Sequence, residues 1–386
     1  MVELFIATTA VAVWIYLIAA RGSFWLSAER DGSGPAPAAW PDVIAVIPAR
    51  NEAEGVGDTV GSLLGQDYPG RFSVVLVDDQ STDGTADTAR RAAGHAANRL
   101  TVLGGKPLAA GWTGKLWAMK QGVDEANARA PKYLLFTDAD IVYDSDALTR
   151  LVSEAEANSL VLNSLMVKLR CESLAERMLI PAFIFFFQML YPFGWANRPA
   201  AATAAAAGGC MLARRDALHA AGGIDGIRGA LIDDCALAAS MKCQGPIRLS
   251  LTDRVRSIRG YPGFQEVRRM VARSAYAQLH YSPLILAGMV VGMALTYLAP
   301  VAFTLFGHGA AQIAGLLAWV IMASAFQPTL RFYRRSPLWG LALPAIALIY
   351  LAYTLDSAYQ HARGRGGMWK GRAQANLSGS NLSGSN

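Results

Sequence analysis

This sequence predicts an α/β protein, a mostly parallel doubly wound sheet with membrane helices at both ends, on three observations. Short apolar runs alternate with helical patterns between residues 43 and 137. Polar and acidic residues recur where those runs stop, and apolar stretches of bilayer length lie toward each terminus.

Met1 to Ala20 carries a single charge, Glu3, in an apolar stretch of Val, Ile, Ala and aromatic residues. About 20 apolar residues span a bilayer. A cleaved leader would place a basic segment ahead of the apolar run, whereas Arg21 follows it. Residues 1–21 therefore read as an uncleaved anchor with its C-terminal side in the cytoplasm. Residues 22–41 read as a linker, rich in Gly, Pro and Ala from Asp31 onward.

Val43 to Pro48 is a continuous apolar strand followed by Ala49-Arg50-Asn51-Glu52, and a helix is expected from about Ala53 to Leu64. Phe72 to Val77 is the second buried strand, ending in Asp78-Asp79, with a helix from Thr85 to about Ala97. Leu100 to Leu103 is a short third strand, Lys115 to Asn127 a helix, and Tyr133 to Phe136 the fourth strand. Ligands of such sheets bind beyond the carboxyl ends of the strands, where Arg50, Asn51, Glu52, Asp78, Asp79, Asp138 and Asp140 all fall.

Asp138-Ala139-Asp140 is open to two readings on its own. One is a polar turn after a strand. The other is a pair of carboxylates holding a divalent cation that grips a diphosphate, since Mg²⁺ needs only one or two carboxylates beside substrate phosphates. The gathering of polar groups on one edge favours the second. No G-x-G-x-x-G follows the first strand and no Walker lysine motif occurs, so a dinucleotide or P-loop site is excluded. Asp78 stands where a carboxylate accepts from a base or a ribose hydroxyl. Trp112 and Lys115 lie in a glycine-rich turn, Gly111-Trp112-Thr113-Gly114-Lys115, where Lys115 reads either as a point charge on the diphosphate or as a solvated helix start.

Leu160 to Leu169 reads as a further strand. Ser173 caps a helix rich in Phe183, Phe185, Phe186 and Phe187, interrupted by Pro181 and closed near Trp195. Its expected place, residues 173–195, is the membrane interface, aromatic face in the lipid, rather than a soluble core. Gly208-Gly209-Cys210 follows a small-residue loop and reads as a floor for a substrate. Asp233 and Asp234 start a helix, where the dipole favours carboxylate and close pairing splits proton affinities, raising one toward a general base; the alternative, an ordinary N-cap, explains one Asp well and two less well. Arg268, Arg269 and Arg273 form a basic helix open to lipid phosphates, to a diphosphate, or to both.

Residues 283–358 hold three apolar stretches, Pro283 to Gly307, Ala310 to Leu330 and Leu338 to Leu355. Charge bias puts the Gly307-His308-Gly309 loop outside and Arg331 to Arg335 inside. Pro337, Gly340 and Pro344 make the last stretch a poor straight helix, open to a re-entrant or interfacial reading. Residues 359–375 form a basic tail, and residues 376–386 are a tag-like or disordered repeat of Asn-Leu-Ser-Gly-Ser-Asn. With 53% hydrophobic and 17% charged residues the chain is too apolar for a wholly soluble protein. Its net charge of +6 suits anionic lipid, and without a basic run interleaved with aromatics it excludes nucleic acid as a partner. Cys171, Cys210, Cys235 and Cys243 lack zinc spacing and are expected reduced.

Val46 to Glu52, Val77 to Gly84, Asp138-Ala139-Asp140 and Asp233-Asp234 together resemble the successive motifs of family 2 glycosyltransferases, over about residues 43–280. The anchor, Gly111 to Ala118, Leu190 to Phe193 and Trp369 to Arg372 are similar, more narrowly, to the bacterial hopene-associated members. The resemblance implies an inverting enzyme with a GT-A catalytic domain at residues 42–282. It implies a nucleotide-sugar donor, with UDP-sugars foremost, and Mg²⁺ or Mn²⁺ on Asp138 and Asp140. It implies that Pro48, Arg50, Glu52, Asp79 and, with the argument above, Asp78 line the donor pocket with Lys115, Asp138 and Arg273. Asp234 matches the catalytic base, and Asp233 stands where Glu is usual. Gly208, Gly209, Cys210 and Trp112 would border the acceptor. Processive members carry Gln-x-x-Arg-Trp before the membrane helices, and Met270 to Ser274 keeps only Arg273. The expected reaction is therefore single-sugar transfer to a lipid on the cytoplasmic face of a bacterial inner membrane. A processive synthase and a non-enzymatic membrane scaffold are the alternatives.

Overall fold

The structure is a computed structural model that describes residues 1–363 and the two-residue strands Met368–Trp369 and Arg372–Ala373. The 376–386 repeat and part of the basic tail lie outside the described residues. The chain forms two compact units. A sheet unit is built from Gly32–Val167 and Ala206–Pro246, and a helical unit from Met1–Asp31, Lys168–Ala205 and Ile247–Gly364.

The sheet unit holds β1 (Val43–Ala49), β2 (Phe72–Asp78), β3 (Leu100–Gly104), β4 (Tyr133–Thr137), β5 (Ile141–Tyr143), β6 (Leu162–Lys168) and β7 (Cys210–Arg214). Six of them lie side by side in the order β3-β2-β1-β4-β7-β6. The first four are mutually parallel, and β7 runs against both its neighbours. Strands buried on both faces carry unbroken apolar runs, and all of β1 and β4 is buried. The register pairs Ala49 with Asp78 and Val46 with Phe136, so β1, β2 and β4 end on one edge. β4 pairs with β1 only as far as Val46, so Pro48, which lacks an N–H, lies where β1 has β2 alone beside it.

The Gly114–Asn127 helix packs over β1 and β2 through Gly122, where a Cβ would sit 2.5 Å from Val46 Cγ1. Only glycine permits that approach, and it fixes the helix that carries Lys115. Helices at Val56–Leu64 and Thr85–Ala93 are shorter than expected. Residues ahead of Val56 are held in turns by Asn51, Glu52 and Asp83, while Gly94, at φ 47°, ends the second helix.

In the helical unit, Val2–Ala20, Pro283–Phe306 and Gly309–Phe332 are long and apolar enough to cross a membrane. The second contains a π-helical turn at Ala294–Leu298, just before Pro300, where a proline cannot continue the ladder. The last apolar stretch is broken at its start, and its continuous helix runs only over Leu343–Ala362. Pro337 and Gly340 precede it, and Pro344 occupies its first turn, where no N–H is needed.

The Leu174–Leu190 helix starts at a capping box of Ser173 and Glu176. Part of its aromatic face packs on protein, while Phe183, Phe186 and Phe187 are only half-buried. Phe185 is fully buried against Phe24 and Phe326, and Phe186 meets Tyr297 and Tyr350, all within the helical unit. These rings find protein partners, and Tyr350 adds a hydrogen bond to the Leu179 carbonyl at 2.8 Å. The basic Phe264–Ala272 helix docks on Leu343–Ala362 through a two-pronged Arg268–Asp356 pair, at 2.9 and 3.0 Å. All four cysteines are free thiols.

Candidate active site

The loops after β1 and β2 are tied to each other. The Asn51 side chain accepts from the Thr82 N–H at 2.9 Å, the Asn51 N–H donates to Ser81 Oγ at 2.9 Å, and the Glu52 N–H donates to Thr85 Oγ1 at 2.9 Å. Asp83 accepts from the N–H groups of Ala53 and Thr85, each at 3.0 Å. Arg50 reaches across to the Asp79 carbonyl, its guanidinium 3.6 Å from the fully buried Asp79 carboxylate. Asp78 accepts from the Ser81 N–H at 3.0 Å through one of its two carboxylate oxygens. Pro48 is buried at the end of β1. Asp83 and Thr85 were not singled out from sequence; the Asp-Gly-Thr run before a helix was their signal.

A second cluster lies at the ends of β4 and the Gly114–Asn127 helix. Thr113 caps that helix by accepting from Leu116, and its N–H is held by the Arg228 carbonyl at 3.1 Å. This presents Lys115, whose Nζ stands 2.9 Å from Asp138 Oδ1 and 3.3 Å from Asp233 Oδ2. The solvated-helix-start reading of Lys115 therefore fails. Asp233 Oδ2 is buried and has no hydrogen bond beyond this ion pair. Asp234, beside it, accepts from the Gly208 N–H at 3.0 Å and the Cys235 N–H at 2.8 Å. Thr137 and Tyr143 donate to the Gly209 carbonyl, at 2.9 and 3.4 Å, and lock that loop to β4.

The charges explain one another. Burial and the Asp233 carboxylate push Asp234 up to about 6, against the pull of Lys115 and two backbone N–H groups. Burial, with repulsion from Asp140 and Asp233, raises Asp138 despite Lys115. Burial works to deprotonate Lys115, but Asp138, Asp233 and Asp234 outweigh it and hold the ammonium charged. Asp138 keeps 38% of its side-chain exposure although protein surrounds it, so it faces an opening; Asp140 is 8% exposed.

Among the described residues no group of three or more His, Cys, Asp or Glu side chains is gathered for a metal. Asp138 and Asp140 still suit a hard cation that keeps waters and takes substrate phosphates, and the unsatisfied Asp233 oxygen marks negative charge that one ammonium does not fully answer. Trp112 is buried on Trp117, ring centroids 5.3 Å apart, so its face is already covered on one side. Cys210 is buried at the start of β7. Arg273 follows the Phe264–Ala272 helix in the helical unit. A separate cavity of about 460 Å³, lined by residues including Lys120, Arg215 and His219, is bordered by none of the sequence-predicted residues.

Gly208 gives this cluster its closeness. A Cβ there would stand 3.3 Å from Lys115 Nζ and 3.5 Å from Asp234 Oδ2. Gly208→Ala is expected to leave the melting temperature nearly unchanged and to lower kcat by up to about 10²-fold, because displacement of aligned groups is costly. Steady-state rates beside a thermal melt check this.

Residues 44–222 match the family described as Glycosyl transferase family 2. That segment carries Arg50, Asp79, Lys115, Asp138 and Asp140. Over 110 residues the chain is 33% identical to 4,4'-diaponeurosporenoate glycosyltransferase of Staphylococcus aureus, covering 28% of this chain and 27% of that protein. The chain thus spans about a quarter of the length of the curated relatives it matches. Its structure is similar to the mannosyltransferase PcManGT from Pyrobaculum calidifontis, solved with GDP-Man and Mn²⁺. The TM-score is 0.54 at 20% identity, over 94% of this chain and 99% of the other. Mannosyl-3-phosphoglycerate synthase from Rubrobacter xylanophilus follows at a TM-score of 0.40 and 17% identity, over 67% and 82% of the two chains. The fold is GT-A.

Proposed function

We propose that this family 2 glycosyltransferase transfers a single sugar from a nucleotide-sugar, foremost a UDP-sugar, to a lipid hydroxyl at the cytoplasmic face of a bacterial inner membrane, with inversion. The observation that carries the reading is Asp234, held by two backbone N–H groups and raised to about 6, beside the Lys115–Asp138–Asp233 cluster. A base tuned near neutrality is what deprotonation of an alcohol requires.

In this reading the loops after β1 and β2 seat the nucleotide through Pro48, Arg50, Glu52, Asp78 and Asp79. Lys115 takes the diphosphate. Asp138 and Asp140 would hold Mg²⁺ or Mn²⁺, which supplies positive charge to the departing diphosphate. Asp234 accepts the acceptor's proton as its oxygen attacks the anomeric carbon from the side opposite the nucleotide, and Asp233 keeps Asp234 basic. The acceptor lies by Gly208, Gly209, Cys210 and Trp112.

A lipid acceptor is supported by three candidate spans in the same chain and by the partial likeness to a glycosyltransferase named for 4,4'-diaponeurosporenoate. Hopanoid lipids are the first acceptors to try. Membranes containing the full chain, given labelled UDP-sugars and GDP-mannose in turn, are expected to label one extractable lipid with one sugar. Label in a growing polymer, or in no lipid at all, would refute the reading.

A further inference from the structure

Lys115 does more in this cluster than await a phosphate. Its Nζ bridges two carboxylates, Asp138 at 2.9 Å and Asp233 at 3.3 Å, with Asp234 close by across Gly208. Asp138 is also one of the two carboxylates that would receive the divalent cation. An ammonium and a divalent ion brought to the same partly buried carboxylate repel each other strongly, because the surroundings screen less than water. Lysine is a compact charge on a flexible four-carbon stem, so its head can leave while its backbone stays fixed.

We infer that Lys115 is a built-in competitor of the divalent metal for the carboxylate cluster, and that the nucleotide diphosphate relieves the competition by drawing the ammonium to itself. The inference rests on the metal–diphosphate reading given above and deepens it. Metal alone then binds weakly, since it must displace Lys115 from Asp138. Metal with nucleotide binds tightly, since Lys115 gains a new anion when it moves. Coupling of this kind is reciprocal, so the metal tightens the nucleotide by the same factor. The arrangement favours loading with metal and donor together.

The test is Mn²⁺ binding to the full-length protein in detergent, read from loss of the free-ion electron paramagnetic resonance signal, with and without UDP or GDP. K115M is expected to bind Mn²⁺ alone about tenfold more tightly than wild type, within the usual 5–150-fold range of site coupling. The tightening by nucleotide is expected to be several-fold smaller in K115M than in wild type, and K115R, which keeps the charge, is expected to resemble wild type without nucleotide. Unchanged or weaker Mn²⁺ binding by nucleotide-free K115M would overturn the inference. D140A separates the two claims. Loss of Mn²⁺ binding in D140A supports the metal reading whatever K115M does, whereas wild type that fails to bind Mn²⁺ even with nucleotide overturns both. If K115M does not fold, K115M/D233N, which removes a buried carboxylate together with the ammonium, is compared with D233N. Tighter Mn²⁺ binding by the double variant supports the competition, and equal or weaker binding refutes it.

Discussion

Asp234→Asn is expected to lower kcat by about 10²–10⁴-fold, the usual contribution of a positioned general base. Asn fills the same space and keeps an oxygen for one of the two N–H groups that hold Asp234, from Gly208 and Cys235, so the fold is expected to survive. The pH profile gives a second readout. The base works deprotonated, and burial with Asp233 nearby raises its affinity for a proton to about 6. Wild-type kcat/KM, which reports the free enzyme, should therefore climb about tenfold per pH unit below 6 and level off above it. Asp233→Asn removes the repelling charge and should move that acid limb to lower pH. A profile flat between pH 5 and 7, or full activity in the Asp234→Asn variant, would sink the assignment.

Asp140→Ala is the second large effect. If Asp138 and Asp140 hold the cation, losing one ligand removes several kcal/mol of charge stabilisation on the leaving diphosphate. At about tenfold per 1.4 kcal/mol, kcat should fall by roughly 10²–10³-fold or more. Chelation by EDTA should bring wild type to the same level, with Mn²⁺ or Mg²⁺ restoring wild type but not the variant. Wild-type activity indifferent to EDTA would exclude the metal from the reaction.

The sheet was largely legible because burial on both faces demands unbroken apolar strands. Val43 to Pro48, Phe72 to Val77 and Tyr133 to Phe136 could be little else. The edge they share followed from the rule for open α/β sheets. Two things were not legible. Periodicity places Lys115 at a helix start, but only the cap by Thr113 and the close seating at Gly122 bring its ammonium to Asp138 and Asp233, residues far apart in sequence. The phenylalanines at 183 and 185–187 announced an apolar partner without saying which. Lipid tails and packed helices are equally apolar, so composition cannot choose between them. Phe185 and Phe186 meet Phe24, Phe326, Tyr297 and Tyr350, while Phe183 and Phe187 stay half-buried.

The chain passes between its two units at Gly32, Lys168, Ala206 and Ile247. No contiguous stretch of gene therefore encodes the sheet unit. A truncate spanning residues 42–282 would keep the Leu174–Leu190 helix while discarding Phe326 and Tyr350, two of the rings that cover its phenylalanines, and Asp356, which receives Arg268. Such a fragment carries bare apolar surface and a stranded arginine, the makings of an aggregate. Assays of this protein belong with the whole chain in detergent or lipid, and a dead soluble fragment would say nothing about its chemistry.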